Sequence, residues 1–301
     1  MLFSAAFKAK ARAALAQHWQ TALLIALIVN LPSLLVQGIA AFTNNDLVTR
    51  LQDLLLKAYA SETAMSALPD AVRALFSETG ILVMIGLSVL AWLVTPSLSM
   101  GMNHWALDRI RGEEEPVSTV FSRLRILPKS IALRLFIVLK IILLSLPGLA
   151  VSLLGMIPLW NAREKTAAEQ ASAANLTMNL MYGGMLVMLV LGIMGYLYYA
   201  MADFILADEP GERILSCARR SREMMKGRRG ALVSLLFSFI LWYLLIFFMA
   251  SVVESVAGSI ASLMFQMLGT LFLSVYMLVT EGVFYETLRR APVQQQEPAE
   301  A

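Results

Sequence analysis

The chain has 301 residues, of which 58% are hydrophobic and only 15% are charged, and its mean hydropathy is +0.70. A soluble domain carries roughly 25% charged residues, and it could not hide such an apolar excess, because roughly half of its surface must face water. The composition therefore excludes an ordinary soluble enzyme and a disordered protein. It indicates a polytopic membrane protein, with a net charge of +3.

Six long apolar segments follow one another along the chain. A helix needs about 20 mainly apolar residues to cross the hydrocarbon layer of a membrane. The sequence predicts an all-α bundle of about six transmembrane helices, over residues 19–42, 80–105, 141–160, 180–199, 231–253 and 256–280. We expect residues 1–290 to form one integral-membrane domain and residues 291–301 to form a disordered cytoplasmic tail. The last two spans are separated by little more than Glu254 and Ser255, which predicts a helical hairpin.

The first span resembles both a signal peptide and a retained helix. Lys8, Lys10 and Arg12 precede it, as cations precede the apolar part of a signal peptide. Its apolar run of about 20 residues is longer than the 7–15 residues of a signal peptide, and five more spans follow. These features favour a retained first helix.

Lys and Arg residues are distributed unequally between the two sets of loops. The N-terminal segment carries three, the second-to-third connection five, the fourth-to-fifth connection seven and the C-terminal tail two, whereas the loops on the other side carry five in all. Cytoplasmic loops are the ones enriched in Lys and Arg. The bias predicts cytoplasmic N- and C-termini in the bacterial cytoplasmic (inner) membrane, and an even number of spans agrees with it.

The fourth-to-fifth connection is the most basic segment. Asp208, Glu209 and Pro210 suit the start of a helix, and apolar residues then recur near helical spacing as far as Gly227. This predicts a cytoplasmic amphipathic helix at the membrane interface. The alternative is that its cations only set the orientation of the protein. The candidate contacts for anionic inner-leaflet lipid or a partner protein are Arg213, Arg219, Arg220, Arg222, Lys226, Arg228, Arg229, Arg123 and Arg125.

The second-to-third connection has a similar order of acidic residues, proline and cations. When Pro116 is aligned with Pro210, Arg125 also aligns with Arg219. This pattern suggests a parallel internal repeat. The alternative is that interfacial helices of this type resemble one another without being repeats.

Residues that could carry chemistry are scarce. Cys217 and two separated histidines, His18 and His104, form no metal-binding pattern, so no metal or cofactor is expected. His104 adjoins Trp105, which suggests an interfacial position. The motifs of hydrolases, zinc proteases and nucleotide-binding loops are absent. The basic segments contain few aromatic residues, which argues against nucleic-acid binding. We therefore expect no catalytic residues and a non-enzymatic protein.

The remaining polar residues of the spans allow a second function. Lys140 directly precedes the third span, where a lysine can extend its ammonium group to the interface. Three acidic residues lie at span ends, close to water: Asp203, Glu254 and Glu281. Deeper polar side chains usually hydrogen-bond between helices. In a transporter they would line a cavity near the midplane: Asn30, Gln37 and Gln266.

Several short motifs resemble a bacterial integral-membrane family known as domain of unknown function, number nine-seven-five. They lie in residues 202–210 and 221–227, and a tryptophan follows in the fifth span. The motif residues are Asp203, Asp208, Pro210, Ser221, Gly227 and Trp242. The family is similar in layout to the membrane domain of some glycerophosphodiester phosphodiesterases. It carries no assigned activity, so the resemblance implies a fold and a membrane location but no catalytic residues.

The sequence therefore predicts a protein that engages anionic lipid or a partner through its basic cytoplasmic helices, in envelope or lipid homeostasis. A partner protein or a second copy of the chain are both open as binding partners. The alternative function is a small-molecule or lipid transporter. An enzyme acting at the cytoplasmic interface is a third hypothesis, which would require Asp203, Asp208 or Glu209 to meet a basic residue in an open pocket.

Overall fold

The computed structural model describes residues 2–43, 54, 69–70, 79–162 and 166–290 of the chain. All regular elements in these residues are helical, which confirms the predicted all-α class. The helices are α1 (Leu2–Leu15), α2 (Trp19–Thr43), α3 (Thr79–Arg111), α4 (Thr119–Ser122), α5 (Leu127–Leu154), α6 (Ile157–Asn161), α7 (Ala167–Tyr199), α8 (Ala202–Asp208), α9 (Ile214–Met224), α10 (Arg229–Ala257) and α11 (Ser259–Arg290). A 3-10 turn, Arg123–Ile126, joins α4 to α5.

Six of these helices are long and apolar enough to cross a membrane: α2, α3, α5, α7, α10 and α11. The prediction of six membrane-spanning helices is therefore confirmed, and the architecture is that of a multi-pass membrane protein. Short helices connect several of the long ones: α4 lies between α3 and α5, α6 between α5 and α7, and both α8 and α9 between α7 and α10. The predicted tail, residues 291–301, lies outside the described residues.

Several long helices extend beyond the predicted spans, since α5 begins at Leu127, α7 begins at Ala167 and α11 ends at Arg290. Two other boundaries differ for identifiable reasons. The third long helix ends at Leu154 rather than near residue 160. Pro158 has no N–H to donate to the carbonyl of Leu154, so one hydrogen bond of a continued helix would be missing where α5 ends. The break between α10 and α11 lies at Gly258 rather than at Glu254 and Ser255. Gly258 has φ +85° and ψ 172°, a conformation that only glycine adopts readily.

The long helices pair into three hairpins, α2 with α3, α5 with α7, and α10 with α11. The backbones of α5 and α7 lie in direct contact at Gly148 and Gly184. A Cβ atom on Gly184 would lie 2.6 Å from the backbone nitrogen of Ser152. Small residues at such crossings let membrane helices approach closely.

The core lies at one end of the bundle, where α3 ends at Arg111, α5 begins at Leu127 and α11 ends at Arg290. We call this the polar end. The buried apolar residues there include the fully buried Trp105, Ile205 and Tyr285. Beyond the polar end the hairpins expose large apolar side chains, and only 11% of the apolar stretch of α5 is buried inside the protein. Such surfaces suit contact with lipid chains rather than water.

The helix α1 packs against the polar end rather than standing apart from it. Ala11 and Leu15 are fully buried, and the ring of Phe7 meets the edge of Phe284 with 5.6 Å between centroids. Lys8 donates a hydrogen bond to the carbonyl of Ser238 at 3.2 Å. Desolvation, and then the nearby charge of Arg12, lower the pKa of Lys8. The polar end is therefore built from α1 as well as from the long helices.

Candidate functional site

A buried network of ion pairs connects three helices at the polar end. Arg111 of α3 donates two hydrogen bonds to Asp208 of α8, at 2.9 and 3.1 Å, and one to Glu286 of α11 at 3.1 Å. Arg289 lies 3.0 Å from Asp208, and the hydroxyl of Tyr285 donates to the same carboxylate at 3.2 Å. The side chains of Asp208 and Glu286 are only 7% and 9% exposed.

The geometry of this network indicates a structural role. The bidentate pairing of Arg111 with Asp208 is the strong form of a charge-assisted hydrogen bond. Arg290 donates to the second oxygen of Glu286 at 3.0 Å, so both carboxylates have cationic partners. Each of the four carboxylate oxygens accepts a hydrogen bond from an arginine. Three of these oxygens join segments that are distant in the chain, and Oε1 of Glu286 binds Arg290 of the same helix.

The expectation that Asp208, Glu209 and Pro210 begin a helix is wrong. Asp208 is the last residue of α8, and α9 begins only at Ile214. The Asp208 carboxylate binds the guanidinium groups of other helices instead of a helix N-terminus. Glu209 accepts a hydrogen bond from Arg220 at 2.7 Å. This bond raises the pKa of Arg220. The guanidinium group of Arg220 is therefore engaged by Glu209.

The loop between α8 and α9 also contacts the second-to-third connection, which is the other basic segment. Lys129, at the start of α5, donates a hydrogen bond to the carbonyl of Pro210 at 2.9 Å and to that of Gly211 at 3.4 Å. The two basic segments that the sequence presents separately therefore form one continuous region of the polar end.

The predicted motif residue Ser221 fixes α9 to the end of α7. Its hydroxyl donates to the carbonyl of Tyr198 at 3.1 Å and accepts a hydrogen bond from the backbone N–H of Met201 at 3.2 Å. These bonds satisfy backbone groups where the chain breaks between α7 and α8. The guanidinium groups of Arg222 and Arg229 lie over the Tyr198 ring, at 5.4 and 3.9 Å from its centroid.

The other motif residues have separate positions. Asp203 accepts a hydrogen bond from Arg134 of α5 at 3.3 Å. Gly227 has φ +73° just beyond the end of α9, a conformation that favours glycine. Trp242 is 55% exposed on the apolar part of α10. The motifs thus describe the fold of the polar end and its neighbouring helices rather than one convergent site.

One face of α9 is basic and exposed. Leu215, Arg219 and Arg222 follow one another at spacings of four and three residues, which places them on one side of α9, and Lys226 lies in the turn just beyond the end of the helix. All four are exposed, and Leu215 is 67% exposed. We call these four residues the basic stripe. Within the described ranges, none of its three cations has an ion-pair partner.

The opposite face of α9 is buried through Cys217, Ala218 and Ser221. Desolvation by burial raises the pKa of the Cys217 thiol to about 11. The buried face anchors the helix, so that the basic stripe points away from the protein.

The nine predicted contact residues therefore fall into two groups. Arg220, Arg229 and Arg123 are partly buried, and the first two have the internal contacts described above. The exposed group is Arg213, Arg219, Arg222, Lys226, Arg228 and Arg125. Arg125 lies next to two exposed apolar residues of the same connection, Phe121 and Leu124.

Several further buried polar atoms lack hydrogen-bond partners in the part of the chain that the structure describes, and two groups of them include an acidic side chain. The first is on α3: Nε2 of His104 lies 3.4 Å from Asp108, and the buried atoms are Asn103 Oδ1, His104 Nδ1 and Asp108 Oδ2. The second is Oε1 of Glu281. The sequence places Glu281 close to water at a span end, whereas it is only 9% exposed, because α11 continues to Arg290 and packs into the core.

Sequence reasoning misses the partners in the ion-pair network. Arg111, Arg289 and Arg290 count only toward the orientation bias, and Glu286 has no distinguishing local pattern. Arg111 and Glu286 are separated by 175 positions. A pair this far apart in the chain has no local pattern in the sequence. The one indication of ion pairing is that acidic and basic residues occur together near the end of α11.

The hypothesis of a polar transport cavity has no support in the described grooves. Three grooves of about 510, 370 and 280 Å³ lie between α5 and α7, α10 and α11, and α2 and α3, and each is mainly apolar. The Asn30 side chain donates to the carbonyl of Ala26 within its own helix at 2.8 Å. The side chain of Gln37 lies outside the described residues, and Gln266 lines none of these three grooves.

The sequence matches the family model described as protein of unknown function (DUF975) over residues 1–292. The chain therefore belongs to this family, which confirms the resemblance noted from its motifs. A search of curated proteins and a search of solved structures each give no match.

Proposed function

We propose that this member of the DUF975 family is a non-enzymatic protein of the bacterial cytoplasmic membrane that binds anionic lipid headgroups through the basic stripe of α9. Both termini would be cytoplasmic, and the role would be in envelope or lipid homeostasis. The observation that carries the proposal is the stripe itself, since Arg219, Arg222 and Lys226 are exposed beside Leu215 without an acidic partner among the described residues.

The physical basis of the proposal is the charge of the inner leaflet. Each Lys or Arg near an anionic surface contributes about 1 kcal/mol of attraction. An exposed leucine among the cations adds an apolar contact with the boundary between headgroups and chains. The excess of cations in the N-terminal, second-to-third, fourth-to-fifth and C-terminal segments supports a cytoplasmic position for the stripe.

The internal contacts of α9 support this role by fixing the direction of the stripe. Ser221 joins α9 to the end of α7, and Arg220 joins it to Glu209. A helix held in this way loses little freedom when lipid binds, so more of the electrostatic attraction appears as affinity. The paired state of Asp208 and Glu286 supports a non-enzymatic role, since these buried carboxylates hold the fold together.

The test is a measurement of lipid selectivity in nanodiscs. The full chain is reconstituted with phosphatidylcholine and a minor fraction of phosphatidylglycerol, and the phosphatidylglycerol bound to the protein is counted by native mass spectrometry. We expect the Arg219→Glu/Arg222→Glu variant to lose about tenfold or more of this preference, because it replaces two attractive charges by repulsive ones.

The matched control is Lys10→Glu/Arg12→Glu, which reverses two exposed cations on α1. We expect a much smaller loss of phosphatidylglycerol preference from this variant. An equal loss in both variants would show a general surface charge rather than a lipid site on α9. An unchanged preference in the α9 variant would overturn the proposal and favour a protein partner for the stripe.

A further inference from the structure

The groove between α5 and α7 has a defined shape. Its volume is about 510 Å³, within the range of small-molecule binding pockets. It opens where Ser145 faces Gly192, since a Cβ atom on Gly192 would meet only the Ser145 hydroxyl, at 3.7 Å. On either side the helices close again, at Gly148 against Gly184 and at Gly195 against Ile141. Small side chains between two close contacts therefore create the groove.

One end of this groove is polar and cationic. Tyr196, whose side chain carries a hydroxyl, lines the groove together with Ile141. Lys140 directly precedes Ile141, is exposed, and has its ammonium group 5.6 Å from the centre of the Phe136 ring. In the described part of the chain no acidic group pairs with Lys140. Arg134 lies further toward the polar end, is 48% exposed, and has a single bond of 3.3 Å, to Asp203.

Among the described residues, the other two grooves have no unpaired cation at an end. In the groove between α10 and α11, Tyr276 donates to the backbone carbonyl of Lys8, but the ammonium group of Lys8 is bonded to the carbonyl of Ser238. The groove between α10 and α11 is lined by residues such as Trp242, Phe265 and Gly269, and that between α2 and α3 by residues such as Leu31, Pro32 and Val94. Neither lining contains a charged residue or has one adjacent to it in the chain. An apolar groove with a free cation at one end distinguishes the α5–α7 pair.

We propose that this groove binds one acyl chain of an anionic phospholipid, with the lipid phosphate at Lys140. The apolar walls suit the chain, and the ammonium group suits the phosphate as a point charge. In a membrane, close packing rather than water exclusion drives such binding, and a chain between two helices contacts protein on two sides. The site lies on α5 and α7 and does not depend on lipid binding by the basic stripe.

The test uses the full chain in detergent with one equivalent of phosphatidylglycerol that carries a diazirine near the middle of one acyl chain. After irradiation, we expect adducts in residues 141–149 and 188–196. The Gly192→Leu variant fills the groove and should lower this labelling at least fivefold. The matched control is Gly183→Leu on the same helix, where a Cβ atom meets nothing within 4 Å, and we expect its labelling to equal that of the wild type.

A second arm tests the headgroup. Phosphatidylcholine with the same labelled chain should label the groove several-fold less than phosphatidylglycerol, and Lys140→Gln should remove the difference. Ser145→Leu fills the groove from the opposite helix and replaces Gly192→Leu if that variant does not fold. Adducts spread evenly over all long helices, or unchanged labelling in a folded groove-filling variant, would overturn the proposal. Equal labelling by the two lipids would also overturn it. Retained groove labelling in Arg219→Glu/Arg222→Glu would separate this site from the basic stripe.

Discussion

The arginine at position 111 faces two buried carboxylates at once, those of Asp208 and Glu286. A buried charge that loses its partner is far less favourable than an exposed one, because the protein interior solvates it poorly. The contribution of each residue in the network therefore depends on the burial of the group that it leaves behind. Arg290 contacts the same Glu286 but is itself 70% exposed, and its removal leaves Glu286 paired with Arg111 at 3.1 Å.

This difference gives the first prediction, made at the residue scale. We expect Arg111→Ala to lower the free energy of unfolding by about 3 kcal/mol, near the lower limit for breaking a buried ion pair, because Arg289 still faces Asp208. The matched control, Arg290→Ala, should lower it by less than about 1 kcal/mol, as for an exposed pair. Unfolding in detergent, followed by circular dichroism, measures both. Equal effects of the two substitutions would contradict the assigned difference in burial.

Some roles of single residues could be predicted from the sequence and others could not. The cationic surface of Arg219 and Arg222 follows from local spacing, because side chains four and three positions apart share a helix face. The pairing of Arg111 with Asp208 spans 97 positions and depends on how α3 packs against α8. A carboxylate followed by proline has the same local pattern whether it begins a helix or ends one, so Asp208 is assigned wrongly.

At the scale of elements, the most extensive contact among the described helices is that of α5 with α7. Gly183 and Gly184 are neighbours in the sequence, yet Gly184 faces the backbone of α5 and Gly183 faces open space. A Cβ atom on Gly184 would lie 2.7 Å from the backbone oxygen of Gly148, whereas a Cβ atom on Gly183 meets nothing within 4 Å. Adjacent glycines in a membrane helix favour close packing, but the sequence does not show which of the two makes the contact.

The second prediction tests this contact. We expect Gly184→Ala to destabilise the protein by about 1–3 kcal/mol or more, because neither backbone can yield without separating the helices. Gly183→Ala should be neutral or slightly stabilising, since alanine favours the helix over glycine. The melting temperatures of both variants in the same detergent provide the measurement. A larger loss from Gly183→Ala would show that the helix pair is rotated from the orientation described above.

Some of the features that end a helix can be recognised in the sequence, and others cannot. The break at Gly258 requires a conformation that glycine supplies, and glycine is visible in the sequence. Apolar residues flank Gly258 on both sides, so hydropathy does not mark the break there. Hydropathy alone places the turn near the charged residue Glu254. The prediction of six long helices succeeds because length and apolarity are local properties, whereas the exact turn depends on backbone geometry.

At the scale of the whole molecule, the polar core and the apolar hairpins occupy opposite parts of the bundle. Arg111, Asp208 and Glu286 lie where the hairpins converge, and the exposed apolar surfaces lie where they separate. The polar end is therefore the part of the protein in which buried ion pairs join the helices. The basic stripe of α9 and Lys140 both receive their positions from it, since α9 and the start of α5 are joined there through Lys129 and Pro210.

This arrangement leads to the third prediction, on orientation. Arg219 lies at the polar end, and Val256, which is 83% exposed, lies near the opposite turn between α10 and α11. We expect a membrane-impermeant maleimide added to intact bacteria to label Val256→Cys but not Arg219→Cys, and inverted membrane vesicles to reverse the result. The native Cys217 should stay silent in both, because it is buried and its pKa of about 11 keeps the thiol protonated near neutral pH. Labelling of Arg219→Cys from outside would place the basic stripe away from the anionic inner leaflet and would remove the physical basis of the proposed lipid binding.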